Sequence, residues 1–242
     1  MQRFFFDDEK IDLNRFSVSG EKYNHIIRSL RISVGEKVVF CDGNFYDYEC
    51  ELVSYDTENA YFEIQKKYVN CTEPELRITV FQCLPKGDKM DEMVKRCVQF
   101  GVHTIVPVLS RRCVSRPEHK SSVKKIERLN KIARASAMQS MRGYIPQVSE
   151  IIGFEQAVEQ MKGFQNSFIC YENEMNNYFK IPDQKNGDIA FLIGPEGGLD
   201  NSEVEYAVNN DVPCVSLGKR ILRTEDAASF LIPILLYNTK NL

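Results

Sequence analysis

Between Phe4 and Val69 the apolar positions come in short runs broken by polar turns, as half-buried strands require: 37–41, 46–55 and 60–68, with the turn Asp42-Gly43-Asn44 after the first. Only 21–30 reads as a helix in this stretch. Short strands at close spacing predict a small β-barrel or sandwich. The run from Asn70 to Pro74 interrupts the pattern and predicts a boundary, giving domains 1–72 and 73–242. Beyond it the rhythm changes to strand 78–84, helix 88–100, strand 104–109, helix 123–141, helix 154–161, strands 167–171 and 189–193, helix 202–209, strand 214–217 and helix 225–236. Continuous apolar strands alternating with helices predict an α/β domain built on a mostly parallel sheet.

Composition narrows the class. With 242 residues, 43% hydrophobic and 27% charged, the chain can bury a real core, and disorder, collagen and coiled coil are excluded. No apolar run approaches the roughly 20 residues of a membrane helix, and the aromatic triplet Phe4 to Phe6 runs straight into Asp7, Asp8 and Glu9, unlike a secretory segment. A cytoplasmic protein without a membrane partner is expected. The 8 cysteines lie far apart, with no C-x-x-C and only 3 histidines. The expectation is reduced thiols packing as small hydrophobes, with no metal site.

The net charge of −3 conceals a partition. Residues 1–73 carry net −5, residues 74–149 net +9 and residues 150–242 net −7. Such a basic segment between acidic ones is either the footprint of a phosphate-backbone binder or a solvated helix face.

Two segments at the ends of expected strands carry candidate chemistry, where open α/β sheets bind ligands. In the first, 190–205, Gly194, Gly197 and Gly198 open the backbone to a ligand, or simply make a tight turn, and Ser202 with Glu205 forms a capping box. This is neither G-x-G-x-x-G nor a P-loop lysine motif. In the second, 216–228, Gly218 ends a strand, Lys219, Arg220 and Arg223 flank Ile221 and Leu222, and Thr224 caps a helix opening with Glu225 and Asp226. Aliphatic side chains beside backbone amides suit an adenine ring, and the arginines suit an anion.

Gly194-Pro-Glu-Gly-Gly198 followed by Leu217-Gly-Lys-Arg-Ile-Leu-Arg-Thr-Glu225 resembles the paired signature of the SPOUT methyltransferases, specifically the RsmE type that methylates uracil N3 in 16S ribosomal RNA. The resemblance extends along nearly the whole chain, through Met1 to Phe5, His25 to Arg31 with Val34-Gly-Glu36, Leu84 to Met90, Lys95, Gly101-Val102, Pro107, Arg112, Lys131-Ile132, Gln139-Ser140 and Arg142. It implies a PUA-like N-terminal barrel, a C-terminal trefoil knot, bound S-adenosylmethionine and a homodimer acting on 16S rRNA or the small ribosomal subunit. The apolar final helix is compatible with that dimer. Met138 stands where the family usually has Glu, Met141 where it has Gly, and Leu129 where a Trp is common.

On that resemblance the cofactor would be held by Ile193, Gly194, Pro195, Gly197, Gly198, Leu217, Gly218, Ile221 and Leu222. Arg223 is the candidate to stabilise the uracil anion and Glu196 the candidate proton acceptor. RNA contacts across both domains fall to Arg3, Arg28, Arg31, Lys86, Lys89, Arg112, Lys124, Lys125, Arg128 and Arg142, with Arg28 and Arg31 at helix spacing. Met138 prompts a rival reading, a non-catalytic RNA-binding assembly factor. A second is methylation of a ribose 2′-hydroxyl or another base. A hydrolase has no Ser, Cys and His cluster to rest on.

Overall fold

The computed structural model describes residues 1–174, 177–178, 180 and 185–242, and it divides into two units. The first comprises Met1–Glu73 together with Met138–Tyr144, the second Pro74–Ala137 and Ile145–Leu242. The segment 138–144, whose first four residues were expected to end a helix of the second domain, therefore packs with the first.

In the first unit, β1 (Arg3–Phe5), β2 (Arg15–Ser19), β3 (Lys37–Cys41), β4 (Tyr46–Tyr55) and β5 (Asn59–Val69) form a curled sheet in the order β1-β3-β4-β5-β2. β1 runs parallel to β3, and the other pairs are antiparallel. Alternation buries Phe16 and Val18 of β2 and leaves their neighbours exposed. Phe16, Phe40 and Phe62 meet at centroid distances of 4.8 and 5.2 Å about Phe40, forming an aromatic core. Register shifts in β4 at Glu49/Cys50 and Leu52/Ser54 add the bend that curls the sheet. Asp42 closes the β3–β4 turn by accepting from the backbone N–H of Asn44 at 2.7 Å and of Tyr46 at 3.1 Å.

The helix expected over 21–30 is interrupted. A four-residue helix α1 (Gly20–Tyr23) passes into a π-helical turn (Asn24–Ser29), and Arg31 sits at φ +56°. Arg28 and Arg31 are therefore not three apart on one helical face.

The second unit holds β6 (Leu76–Cys83), β7 (Thr104–Leu109), β8 (Gln147–Val148), β9 (Ile152–Gly153), β10 (Asn166–Cys170), β11 (Gly187–Ile193) and β12 (Cys214–Val215). Every pairing among them is parallel, in the order β12-β10-β11-β6-β7-β8, with β9 also on β7. Helices α2 (Lys89–Gln99), α3 (His119–Gln139), α4 (Phe154–Met161), α5 (Asn201–Asn209) and α6 (Thr224–Asn238) supply the connections and cover. Ile78, Val80, Phe81, Ile189, Phe191 and Leu192 are all buried, the mark of strands covered on both faces. Among the described residues no helix is long and apolar enough to cross a membrane. Five cysteines are buried, two half-buried and Cys71 exposed, all as free thiols.

Two helix starts differ from expectation. The capping box of α5 is Asp200 with Glu203, not Ser202 with Glu205: Asp200 accepts from the Ser202 N–H at 3.1 Å, and Glu203 accepts from the Asp200 N–H at 3.0 Å. At α6 the N-cap position is Arg223. Thr224 lies inside the helix, so its hydroxyl is free to serve the neighbouring loop.

Candidate active site

Parallel strands end on one edge, so the segments leaving β10, β11 and β12 emerge side by side. They enclose a cavity of about 540 Å³, within the range of about 300 to 1,000 Å³ that small-molecule sites occupy. All nine residues expected to hold the cofactor line it, together with Glu196 and Arg223. Four glycines are among its lining residues. Gly198 has φ +68° and Gly218 φ +119°, conformations that L side chains rarely adopt, and a Cβ on Gly194 would press to 3.3 Å from Leu199 Cγ. Ile221 lines the cavity with 83% of its surface exposed.

A chain of hydrogen bonds ties the two loops to the sheet. The Thr224 hydroxyl donates to the Gly194 carbonyl at 2.6 Å and accepts from Gln82 Nε2 at 3.0 Å, and Gln82 is 1% exposed. Gln82 is paired with Ile193 across β6 and β11, next to Gly194. Sequence reasoning missed it, although a lone glutamine inside the apolar run Val80-Phe-Gln-Cys83 was a signal.

The Glu196 carboxylate is already engaged. It accepts from the Lys86 N–H at 3.0 Å and pairs with Lys89 Nζ at 3.2 Å, and Lys89 also pairs with Glu225 at 3.1 Å. Burial pushes its carboxyl upward, but its own backbone N–H, the Lys86 N–H and the Lys89 ammonium outweigh that and hold it below the ordinary range. A carboxylate so stabilised is a weaker base. Glu225 is held low in the same way, against burial, by its backbone N–H, Lys89 and Arg223.

The ten cations expected to meet RNA divide sharply. Arg3 is 5% and Arg142 3% exposed, each paired with a carboxylate, so in this structure neither presents its guanidinium to solvent. Arg3 pairs bidentately with Asp47 at 2.7 and 2.8 Å and donates to the Arg142 carbonyl at 2.6 Å, and Arg142 pairs with Glu73 at 2.6 Å. Arg112 donates to the Gly197 carbonyl at 3.0 Å and pairs with Asp200 at 3.3 Å, bracing the glycine loop. Lys89 is held by its two glutamates, Arg128 by Asp91 at 2.6 Å, and Arg28 lies 5.9 Å over the Tyr23 ring. Lys125 is half-buried, and that burial, with Arg128 nearby, lowers its pKa. Arg31, Lys86 and Lys124 are exposed, with no side-chain ion-pair partner among the described residues.

The cavity lies at the carboxyl ends of the parallel strands of the second unit, and the family matches of the two units define the class, an RNA methyltransferase. The RNA methyltransferase domain family matches residues 72–236 and the RNA methyltransferase PUA domain family residues 18–65. The ribosomal RNA small subunit methyltransferase E of Bacillus subtilis (strain 168) is 30% identical, covering 99% of this chain and 98% of its own. That of Mesomycoplasma hyopneumoniae (strain 232) is 32% identical over 96% and 97%. The crystal structure of the Neisseria gonorrhoeae enzyme, bound to S-adenosyl methionine, superposes with a TM-score of 0.87 at 29% identity, covering 98% of this chain and 97% of that one. The chain belongs to the ribosomal RNA small subunit methyltransferase E family.

Proposed function

We propose that this protein transfers a methyl group from S-adenosylmethionine to N3 of one uridine in the decoding region of 16S ribosomal RNA, acting in the cytoplasm on the assembled small subunit. The observation that carries the reading is the cavity at the carboxyl edge of the sheet, whose glycine-opened loops suit a nucleoside cofactor and carry no phosphate-binding lysine motif. Backbone groups of Ile193, Gly194, Gly198, Leu217, Ile221 and Leu222 would hold adenine and ribose, with Pro195 shaping the loop. Bound there, the cofactor supplies an electrophilic methyl on a sulfonium, a good leaving group.

The chain's own contribution is chiefly alignment, for which about 7 to 11 kcal/mol is available in favourable cases. As the N3 proton departs, charge spreads over uracil O2 and O4, and Arg223, exposed and lining the cavity, would stabilise it. Glu196 acts in this scheme as the anchor between the glycine loop and Lys86, not as the proton acceptor.

The trefoil threading and a homodimer belong to the same reading. Phe230, Pro233, Ile234 and Tyr237 form an apolar stripe at helical spacing on α6, with Phe230 40% and Tyr237 72% exposed. Sedimentation showing a monomer at micromolar concentration removes the dimer.

The decisive experiment offers small subunits lacking the modification and labelled S-adenosylmethionine, followed by primer extension across the decoding region. Incorporated label with a new stop is expected, because N3 methylation blocks the pairing edge of uracil. Binding to the subunits without label selects the non-catalytic assembly factor instead. A label located on ribose in the product nucleosides selects 2′-hydroxyl methylation.

A further inference from the structure

Strand order places β10 between β11 and β12, so the chain leaving β10 passes beneath both loops of the cavity. Its first two residues there behave differently. The Tyr171 hydroxyl turns away and donates to Asn201 Oδ1 at 3.0 Å. The Glu172 carboxylate instead occupies the notch left by the missing side chain of Gly198: a Cβ built there would overlap Glu172 Oε1 and come within 3.0 Å of its Cδ. Only two acids line the cavity among the described residues, Glu172 and Glu196. Glu196 is engaged by the Lys86 N–H and Lys89, whereas Glu172 has no hydrogen-bond or ion-pair partner among the described residues.

We infer that Glu172 is the residue that selects a ribonucleoside cofactor, accepting hydrogen bonds from the 2′- and 3′-hydroxyls of its ribose. An ionised carboxylate has two acceptor oxygens and no donor, which matches a vicinal diol and repels a phosphate. Acidic residues play the same part toward ribose at the strand ends of dinucleotide-binding folds. The loops on either side carry the backbone amides and aliphatic side chains that suit adenine, and a sugar attached to that ring would lie within reach of the residues at the exit of the strand between them. The inference rests on the cofactor reading given above and specifies which side chain recognises the nucleoside half.

Calorimetry on the full chain separates the possibilities with two probes, S-adenosylhomocysteine and 5′-methylthioadenosine, which keeps the ribose but lacks the amino-acid end. Glu172→Gln is expected to weaken both by about tenfold to a hundredfold, the worth of hydrogen bonds to a charged acceptor. Wild type should also prefer methylthioadenosine over its 2′,3′-dideoxy analogue, a preference that the variant loses. If the variant loses S-adenosylhomocysteine but holds methylthioadenosine like wild type, the carboxylate serves the ammonium of the amino-acid end and the inference is wrong. Unchanged binding of both probes overturns it while leaving the cofactor reading intact. Wild-type protein that binds neither probe overturns both. Glu172 is exposed, so folding is preserved in Glu172→Gln, and Glu172→Ala should give the same loss.

Discussion

The Thr224 hydroxyl bridges a buried amide of one strand and the glycine loop of the next, donating to the Gly194 carbonyl at 2.6 Å while receiving Gln82 Nε2 at 3.0 Å. One oxygen thus fixes the start of α6 against the loop that follows β11. Thr224→Val keeps the shape and removes both bonds, leaving the Gly194 carbonyl and an amide donor without this partner. Thermal or urea unfolding should show a loss of about 1 to 3 kcal/mol. Calorimetry should show cofactor affinity falling several-fold. Thr224→Ser restores the hydroxyl and should recover most of both, an outcome that a purely steric role for the residue does not give.

Arg3 and Asp47 form a buried pair whose side chains are 2% and 5% exposed, and Asn70 adds a third bond to Asp47 at 2.9 Å. Removing one member strands the other charge away from water. Arg3→Met or Asp47→Leu should therefore destabilise the first unit by about 3 to 5 kcal/mol, and the double variant should lose less than the sum of the two. Denaturant titrations of the two single variants and the double variant measure this. Simple additivity would contradict the pairing.

Periodicity made the elements legible, because apolar continuity and alternation report burial directly: β3, β4, α4 and the core of α6 lie where the pattern put them. The glycine loop and the 217–224 segment were legible for a related reason, since glycine at a strand end announces close backbone approach. What the sequence concealed was partnership. The resemblance marked Arg3, Arg142 and Arg112 as cations facing RNA, but Asp47, Glu73 and Asp200, which pair with them, are 44, 69 and 88 positions away. Gly143 shows the same limit: its missing side chain matters because a Cβ there would come 2.6 Å from Asn70 Cβ, a contact between distant segments. Met138 read as a lost polar contact, yet it packs against the aromatic core of the first unit, and Leu129 is fully buried. Pattern reports which side of an element is covered, not by what.

Glu196 gives a pH test with a definite sign. Its carboxyl is held below the ordinary range, so its contribution to loop anchoring is fully present above the unfolded value of about 4.3 and is lost only as pH falls through the lower folded value. The anchor is therefore intact throughout neutral assay conditions. Glu196→Gln retains an acceptor for the Lys86 N–H and gives up a partly exposed ion pair, whose loss should cost less than about 1 kcal/mol. Turnover should fall by less than about tenfold, with the acid limb of the pH–rate profile unmoved. A fall of about a hundredfold or more with the acid limb abolished would restore Glu196 as the proton acceptor.

The divided cations make a quantitative prediction for RNA binding. Each phosphate neutralised contributes about −0.7 to −0.9 to the slope of log K against log salt. Arg31, Lys86 and Lys124 are exposed, with no side-chain ion-pair partner among the described residues, whereas Arg3 and Arg142 are themselves buried and paired with Asp47 and Glu73. Removing Arg31, Lys86 or Lys124 singly to Ala should leave stability unchanged and flatten the slope by about one phosphate each. Arg142→Gln should behave oppositely, because it strands Glu73 and detaches a link that also receives the Gly143 N–H at 2.9 Å. Its signature is a lower unfolding midpoint, with the salt slope of the remaining folded protein retained. Should Arg142→Gln instead flatten the slope while leaving the midpoint alone, that arginine contacts RNA and its pairing with Glu73 yields on binding. The two measurements on one variant therefore distinguish a cation that holds the fold from one that holds the substrate, a distinction net charge cannot make.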